Sequence, residues 1–245
     1  MATGGTRLLR MRVLRRVRRA SARLPRRTLA LGRSALRALL RRTKGELAAG
    51  RGGPGGAVGP WVLVTGSVGA GKTTTAGRVA AALNAAAKGG RRWRHLEVSR
   101  LVRERRLYRE WDDELDASIF DEELLRRELR RELAGCRAVV DFHCASCFDD
   151  ELGAPLAVFL LRAETSTIWD RLEARGYSKR KIQQNVECEI FGTVADEVEE
   201  CFVRKGRAPV EELQNTSAED LEANVARIVA RVRAAGVVRG DGGVT

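Results

Sequence analysis

The chain is poor in several features that would place it in other protein classes. It has five cysteines in 245 residues, Cys136, Cys144, Cys147, Cys188 and Cys201, without even spacing. No secretory apolar stretch with a small-residue cleavage site precedes them, so a disulfide-stapled secreted scaffold is excluded and a reduced intracellular setting is expected. Long hydrophobic runs are also missing. Leu156 to Leu161 is the longest and Trp61 to Val64 is shorter, both far short of the ~18 to 20 residues that span a bilayer. Acid is almost absent from one region, where residues 1–50 carry 15 Lys and Arg against Glu46 alone. The net charge of +13 therefore belongs to that segment, and the rest of the chain is close to neutral. With 44% hydrophobic and 31% charged residues, the chain is neither disordered nor collagenous overall and can bury one proper core.

Residues 1–49 form a basic tail. Leu9, Val13 and Val17 recur at helical spacing among arginines, and Pro25 interrupts the pattern. An Arg-rich, acid-poor amphipathic segment fits a mitochondrial or plastid transit peptide. It equally fits a nuclear arm that contacts RNA, and Met11 would allow a later start. Arginine outnumbers lysine 39 to 6 throughout the chain, so compositional drift contributes as well. Residues 50–59 contain six glycines and Pro54, the composition of a flexible linker. The folded domain is expected over residues 60–238, with 239–245 as a flexible C-terminus.

Beyond Pro60, short apolar runs alternate with longer helical patterns. Strands are predicted at Trp61 to Thr65, His95 to Val98, Ala138 to Phe142 and Ala157 to Leu161. Helices are predicted at Lys72 to Ala87, Asp121 to Leu133, Ser166 to Arg175, Lys179 to Arg204 and Ala218 to Ala234. Strands apolar on both faces, alternating with helices, imply an α/β fold whose parallel sheet is covered on both sides.

Gly66 to Thr73 reads GSVGAGKT, a match to GxxxxGK[ST] that lies directly after a predicted strand and opens a predicted helix. Gly69 and Gly71 let backbone N–H groups wrap phosphates, Lys72 reaches the β- and γ-phosphates, and the Thr73 hydroxyl is placed to ligate Mg²⁺. Asp141 ends the next apolar strand, where a fold of this kind needs a carboxylate to organise Mg²⁺. His143 follows two residues later and either orients a water or a phosphoryl acceptor or is a structurally satisfied histidine. Cys144 to Cys147 is a lone CxxC, which argues against metal or redox chemistry because structural zinc wants four ligands. Arg171 and Arg175 sit one helical turn apart before Gly176, a basic hinge able to close over a triphosphate, or else a solvated face paired with Glu173.

The segments Leu101 to Glu123, Val139 to His143, Leu172 to Phe191 and Leu213 to Val225 closely resemble the adenylate kinase isoenzyme 6 family, also called the coilin-interacting nuclear ATPase. The RGY followed by N-x-x-C-E-I-F is the most specific part. The resemblance covers roughly residues 61–230. It implies a P-loop NTPase, nucleoside monophosphate (NMP) kinase-like fold with a five-stranded parallel sheet, an NMP-binding segment at about 97–120 and a short lid at about 174–184. Gly69, Gly71, Lys72, Thr73 and Thr74 match the family's ATP loop, Asp141 and His143 its Asp-x-His motif, and Arg175 its lid arginine. Arg103 is the expected ligand of the acceptor phosphate.

The same resemblance implies reversible phosphoryl transfer from Mg·ATP to AMP or another NMP, together with ATPase activity. It further implies a transient contact with a small-subunit ribosomal protein and the pre-ribosome during late small-subunit (18S rRNA) maturation, in nucleus and cytoplasm, as monomer or homodimer. A nucleotide-gated assembly ATPase with residual kinase activity, or an organellar NMP kinase, are the alternatives. The chain departs from the family at Val68, where proline is usual, at Ser99-Arg100 in place of Gly-Asp, over Cys144 to Leu152, and at Ser217, often a lysine. These departures bear on acceptor preference and base contacts.

Overall fold

The computed structural model describes residues 57–86, 92–112, 117–148 and 150–236. The basic tail at 1–49, residues 50–56 of the linker and the C-terminal 239–245 lie outside the described residues. Pairing starts at Ala57, ahead of Pro60: the Gly135 N–H donates to Ala57 O (3.0 Å) and the Gly59 N–H to Leu133 O (2.9 Å).

The elements run in the order β1 (Trp61–Gly66), α1 (Lys72–Ala85), β2 (Trp93–Glu97), α2 (Val98–Glu104), β3 (Tyr108–Asp112), β4 (Ala117–Phe120), α3 (Glu122–Leu133), β5 (Arg137–Asp141), β6 (Val158–Arg162), α4 (Thr165–Glu173), α5 (Lys179–Ile190), α6 (Thr193–Val198), β7 (Val210–Gln214) and α7 (Ala218–Ala234). One-turn 3-10 helices occur at Ala145–Cys147 and Asp150–Leu152, and a π-helical turn at Glu199–Val203. Five strands form one parallel sheet in the order β2-β5-β1-β6-β7, while β3 and β4 pair separately as an antiparallel hairpin. This is the expected P-loop α/β architecture.

Strand alternation sorts the core into two layers. Trp61 and Leu63 of β1 join Leu96, Val140 and Leu160 on one face, covered by Leu125, Leu129 and Leu133 of α3 and by Val198 and Phe202. Val62 and Val64 join Val139, Phe159 and Leu161 on the other, covered by Val79 and Leu83 of α1 and by Ile228, Val229 and Val232 of α7. Each large side chain so enclosed contributes roughly 1.5 to 3 kcal/mol. Helix α3 shows the pattern at its clearest: Asp121 caps it by accepting from Glu123 N and Leu124 N, its leucines recur every four residues on the buried face, and Arg and Glu fill the rest.

Four segments differ from the sequence expectation, the first being α2 (Val98–Glu104), which is not expected as a helix and which starts at the residue expected to end a strand. The helix expected over Lys179 to Arg204 is broken, because Gly192 adopts φ 63° and starts α6 on a new axis. Strand β7, Val-Glu-Glu-Leu-Gln, lacks an apolar run. It is an edge strand paired with β6 alone, so only part of it needs to be apolar. The hairpin β3–β4 lies inside the segment expected to bind the monophosphate, and its polar composition carries no clear period.

Candidate active site

The phosphate loop joins β1 to α1 at the carboxyl edge of the sheet, the side where ligands bind in open α/β folds. Gly69 (φ 95°) and Gly71 (φ 94°) take left-handed backbone conformations. A Cβ on Gly71 would collide with Asn215 Nδ2 and one on Gly66 with Leu161 O, so both glycines are required by close approach as well as by φ. The first turn of α1 leaves its N–H groups without intrahelical partners and aims them into the loop. Lys72 Nζ donates to Ser67 O at 2.9 Å, lying across the mouth of its own loop. Burial pulls its pKa down to about 8, with Asp141 opposing, nearby Arg175 adding to the fall and Glu189 opposing.

Asp141 ends β5 in register with Val64 of β1 and Glu97 of β2, and is 2% exposed. Thr73 Oγ1 donates to its Oδ1 at 3.3 Å, and the His95 imidazole Nε2 stands 2.5 Å from its Oδ2. The carboxylate is thus held at both oxygens. A hydroxyl and a carboxylate oxygen this close are hard donors of the type a magnesium ion takes, and Oδ1 with Thr73 Oγ1 are the atoms that would hold it. His143 lies just past the strand, half-buried, with its ring 4.5 Å from that of Phe142. Burial first, and then the positive Lys72, push its pKa down to about 4, so at neutral pH the ring is uncharged and keeps one lone pair.

Apart from Arg171 and Val68, the far wall of the loop comes from residues that sequence reasoning did not single out. Asn215, fully enclosed at the end of β7, donates from Nδ2 to Ala70 O (2.7 Å). Asn224 of α7 donates to Gln214 O (2.7 Å) and to Asn215 Oδ1 (3.3 Å). Arg171 does not project toward a phosphate. Its guanidinium donates to the carbonyls of Gly69 (3.1 Å), Asn215 (3.0 Å) and Thr216 (2.9 Å). Ser67 Oγ donates to buried Glu189 of α5 at 2.5 Å, and Arg162 Nε to the other oxygen of Glu189 at 2.5 Å. Helices α4 and α5 pack on the loop through Ile168, Leu172 and Ile182 with Val68 against them. His95 carried one signal, its rarity in the chain; Glu189 and Asn215 carried none outside the segments of family resemblance.

Arg175 stands exposed just past α4, close enough to Lys72 to act on its charge. Thr74 is exposed on the first turn of α1. Arg103 is exposed on α2, with Glu97 at 3.7 Å as its ion-pair partner among the described residues; it is not brought against the loop. The structure therefore gathers Lys72, Thr73, Asp141, His143 and Arg175 at one end of the sheet and leaves Arg103 on the separate α2 and hairpin segment.

A family model described as an AAA domain matches residues 62–192. A relative from Caenorhabditis elegans named adenylate kinase isoenzyme 6 homolog is 37% identical over 171 residues, covering 69% of this chain and 87% of its own. One of the same name from Plasmodium falciparum is 32% identical over 176 residues, covering 69% of this chain and 93% of its own. The chain belongs to the adenylate kinase isoenzyme 6 family. A solved shikimate kinase from Bacteroides thetaiotaomicron covers 71% of this chain and 98% of its own at 18% identity, with a TM-score of 0.46. This is a P-loop, kinase-type enzyme, and no helix among its described residues is long and apolar enough to cross a membrane.

Three of the positions where the resemblance leads one to expect another residue have local surroundings that suit the residue present. Val68, where the resemblance leads one to expect proline, packs its apolar side chain against α4 and α5. Ser217 replaces lysine and serves instead as the N-cap of α7, its Oγ accepting from Asp220 N while Asp220 accepts from Ser217 N, a reciprocal capping box. Arg100, in the position of an acid, pairs with Glu104 at 3.6 Å on the exposed side of α2.

Proposed function

We propose that this protein transfers the γ-phosphoryl group of Mg·ATP to AMP or another nucleoside monophosphate, reversibly, and hydrolyses ATP at a lower rate when no acceptor is bound. The observation that carries the reading is the joined set of Lys72, Thr73 and the doubly held Asp141 at the mouth of a phosphate loop. In this reading Lys72 leaves Ser67 O for the β- and γ-phosphates, where its charge follows the transferring group. Bound Mg²⁺ supplies charge neutralisation on the phosphate oxygens, and Thr73 and Asp141 hold it. Arg175 closes from the lid and adds guanidinium charge, Thr74 and the loop amides bind the polyphosphate, and neutral His143 orients the attacking oxygen. Arg103, exposed on α2 and paired among the described residues with half-buried Glu97, takes the acceptor phosphate.

Family membership extends the proposal to a transient role with a small-subunit ribosomal protein in late pre-ribosome maturation, and the basic tail would add RNA contact there. The test is ADP production by the full chain with ATP and Mg²⁺, with and without a panel of monophosphates. With AMP a kinase makes two ADP per ATP consumed, with any other monophosphate one ADP and one diphosphate of the acceptor, and it accelerates many-fold with its acceptor. ADP formation that ignores every monophosphate but rises with a ribosomal protein or RNA would replace the kinase reading with that of an assembly ATPase.

A further inference from the structure

Two thiols stand directly behind the Asp141 to His143 segment and take no part in the phosphate chemistry. Cys144 precedes the 3-10 turn Ala145–Cys147 and Cys147 closes it. Their sulfurs are 3.0 Å apart, the Cys147 S–H donating to Cys144 Sγ. The Ser146 hydroxyl lies 3.2 Å from the same sulfur. The turn is anchored from outside, since the Ala145 N–H donates to Glu197 Oε2 at 3.0 Å. Cys144 retains solvent exposure, whereas Cys147 is fully enclosed against the core.

The pair is therefore asymmetric, with a half-buried cysteine whose sulfur accepts the hydrogen bond of its partner and an enclosed thiol in reach behind it. That is the arrangement in which one cysteine attacks and the other resolves. The other three cysteines differ. Cys136 donates its S–H to Glu132 O at 2.9 Å, and burial pushes the thiols of Cys136, Cys188 and Cys201 up. Cys144 moves in the opposite direction, drawn down chiefly by the hydrogen bond from Cys147, which itself is pushed up as the donor.

We propose that Cys144 and Cys147 form a reactive dithiol site that a hydroperoxide converts to an intramolecular disulfide, with Cys144 as the attacking sulfur. The inference stands apart from the kinase reading and overrides the sequence argument that a lone CxxC is inert. The Cys144 thiolate attacks the terminal peroxide oxygen, an S–O bond forms, the O–O bond breaks, and the leaving alkoxide or hydroxide takes the proton Cys144 gave up. Cys147 then attacks the sulfur of the resulting sulfenic acid, the S–O bond breaks, and the hydroxide leaves with the Cys147 proton as water. Two thiols are oxidised by two electrons and one hydroperoxide is reduced to an alcohol or water.

The test treats the reduced full chain with limiting hydrogen peroxide, blocks remaining thiols and maps peptides. The expected result is that peptide 138–162 becomes lighter by two hydrogens while Cys136, Cys188 and Cys201 remain alkylated, and that a reducing dithiol restores the original mass. Cys144 should also be the thiol that iodoacetamide labels first. In Cys147→Ala, the Cys144 sulfenic acid should persist and be trapped by a 1,3-dione reagent. Because Cys147 is enclosed and its variant can fail to fold, the peptide map of the parent protein decides by itself. Free thiols in peptide 138–162 after peroxide, oxidation of all five cysteines at equal rates, or a link from Cys144 to neighbouring Cys201 would each overturn the proposal.

Discussion

The two sides of the crevice are built from different interactions. On the lid side, the loop carbonyls and hydroxyl are held by Arg171, Asn215 and Glu189 through hydrogen bonds of 2.5 to 3.1 Å, and two of those residues, Asn215 and Glu189, are buried. On the other side, α2 is anchored in the core by Val98, Leu101 and Val102, while its outward charges meet in ion pairs such as Arg103–Glu97 at 3.7 Å and, within the helix, Arg100–Glu104 at 3.6 Å, with both arginines exposed. Buried polar contacts cost several kcal/mol to break, because they leave a desolvated group unpaired. Exposed ion pairs contribute roughly 0 to 1 kcal/mol each. The difference teaches that the polar groups of the phosphate loop are held before nucleotide arrives, while the exposed arginines on the side assigned to the acceptor can change partners at little cost.

That contrast can be broken from either side. Lys72→Ala should lower turnover by ~10² or more, since the lost charge acts on the transferring group, with the thermal midpoint little changed. The parent protein supplies a pH test of the same residue. Lys72 titrates near 8 without ligand and binds phosphate only when protonated, so kcat/KM for ATP should fall as pH rises above about 8. A flat profile to pH 9.5 would show that Lys72 keeps its ordinary value.

Asp141→Asn should reduce turnover by about tenfold or more and displace the Mg²⁺ titration of activity to higher concentration, with modest loss of nucleotide binding. An unchanged titration would return Asp141 to a strand-end structural role. Asn215→Ala leaves Ala70 O without its donor in an enclosed setting, so urea denaturation should show a loss of roughly 1 to 3 kcal/mol. Arg103→Ala, its counterpart across the crevice, should leave stability within about 1 kcal/mol of the parent and raise the KM for the monophosphate several-fold. Equal stability losses at Asn215 and Arg103 would erase the distinction between the two sides. The smallest effect is expected from removing residues 1–56: ATP and monophosphate constants should stay within about twofold while salt-sensitive RNA binding disappears.

Much of this architecture was legible from local pattern. The apolar runs of β1, β5 and β6 and the four-residue leucine spacing of α3 are periodic signals that survive without knowledge of the fold. Strand β7 was missed because an edge strand carries half the apolar burden, and the break at Gly192 because one glycine within a long helical pattern is ambiguous between tolerance and termination. Arg171 and Arg175 looked equivalent at one helical turn apart. Only their surroundings separate them, since one guanidinium saturates three carbonyls and the other is exposed.

Sequence by itself determined the phosphate loop and the strand-end carboxylate, because each is a contiguous stretch whose chemistry is written in residue type and spacing. Tertiary structure alone decided what holds them. His95 reaches Asp141 across 46 residues, Glu189 reaches Ser67 across 122, and Asn215 reaches Ala70 across 145. Such hydrogen bonds form because parallel strands deliver their carboxyl ends to one edge of a sheet and, for Glu189, because α5 packs over the loop at that edge, and a bond that depends on tertiary placement leaves no period or motif in the chain for a reader to find.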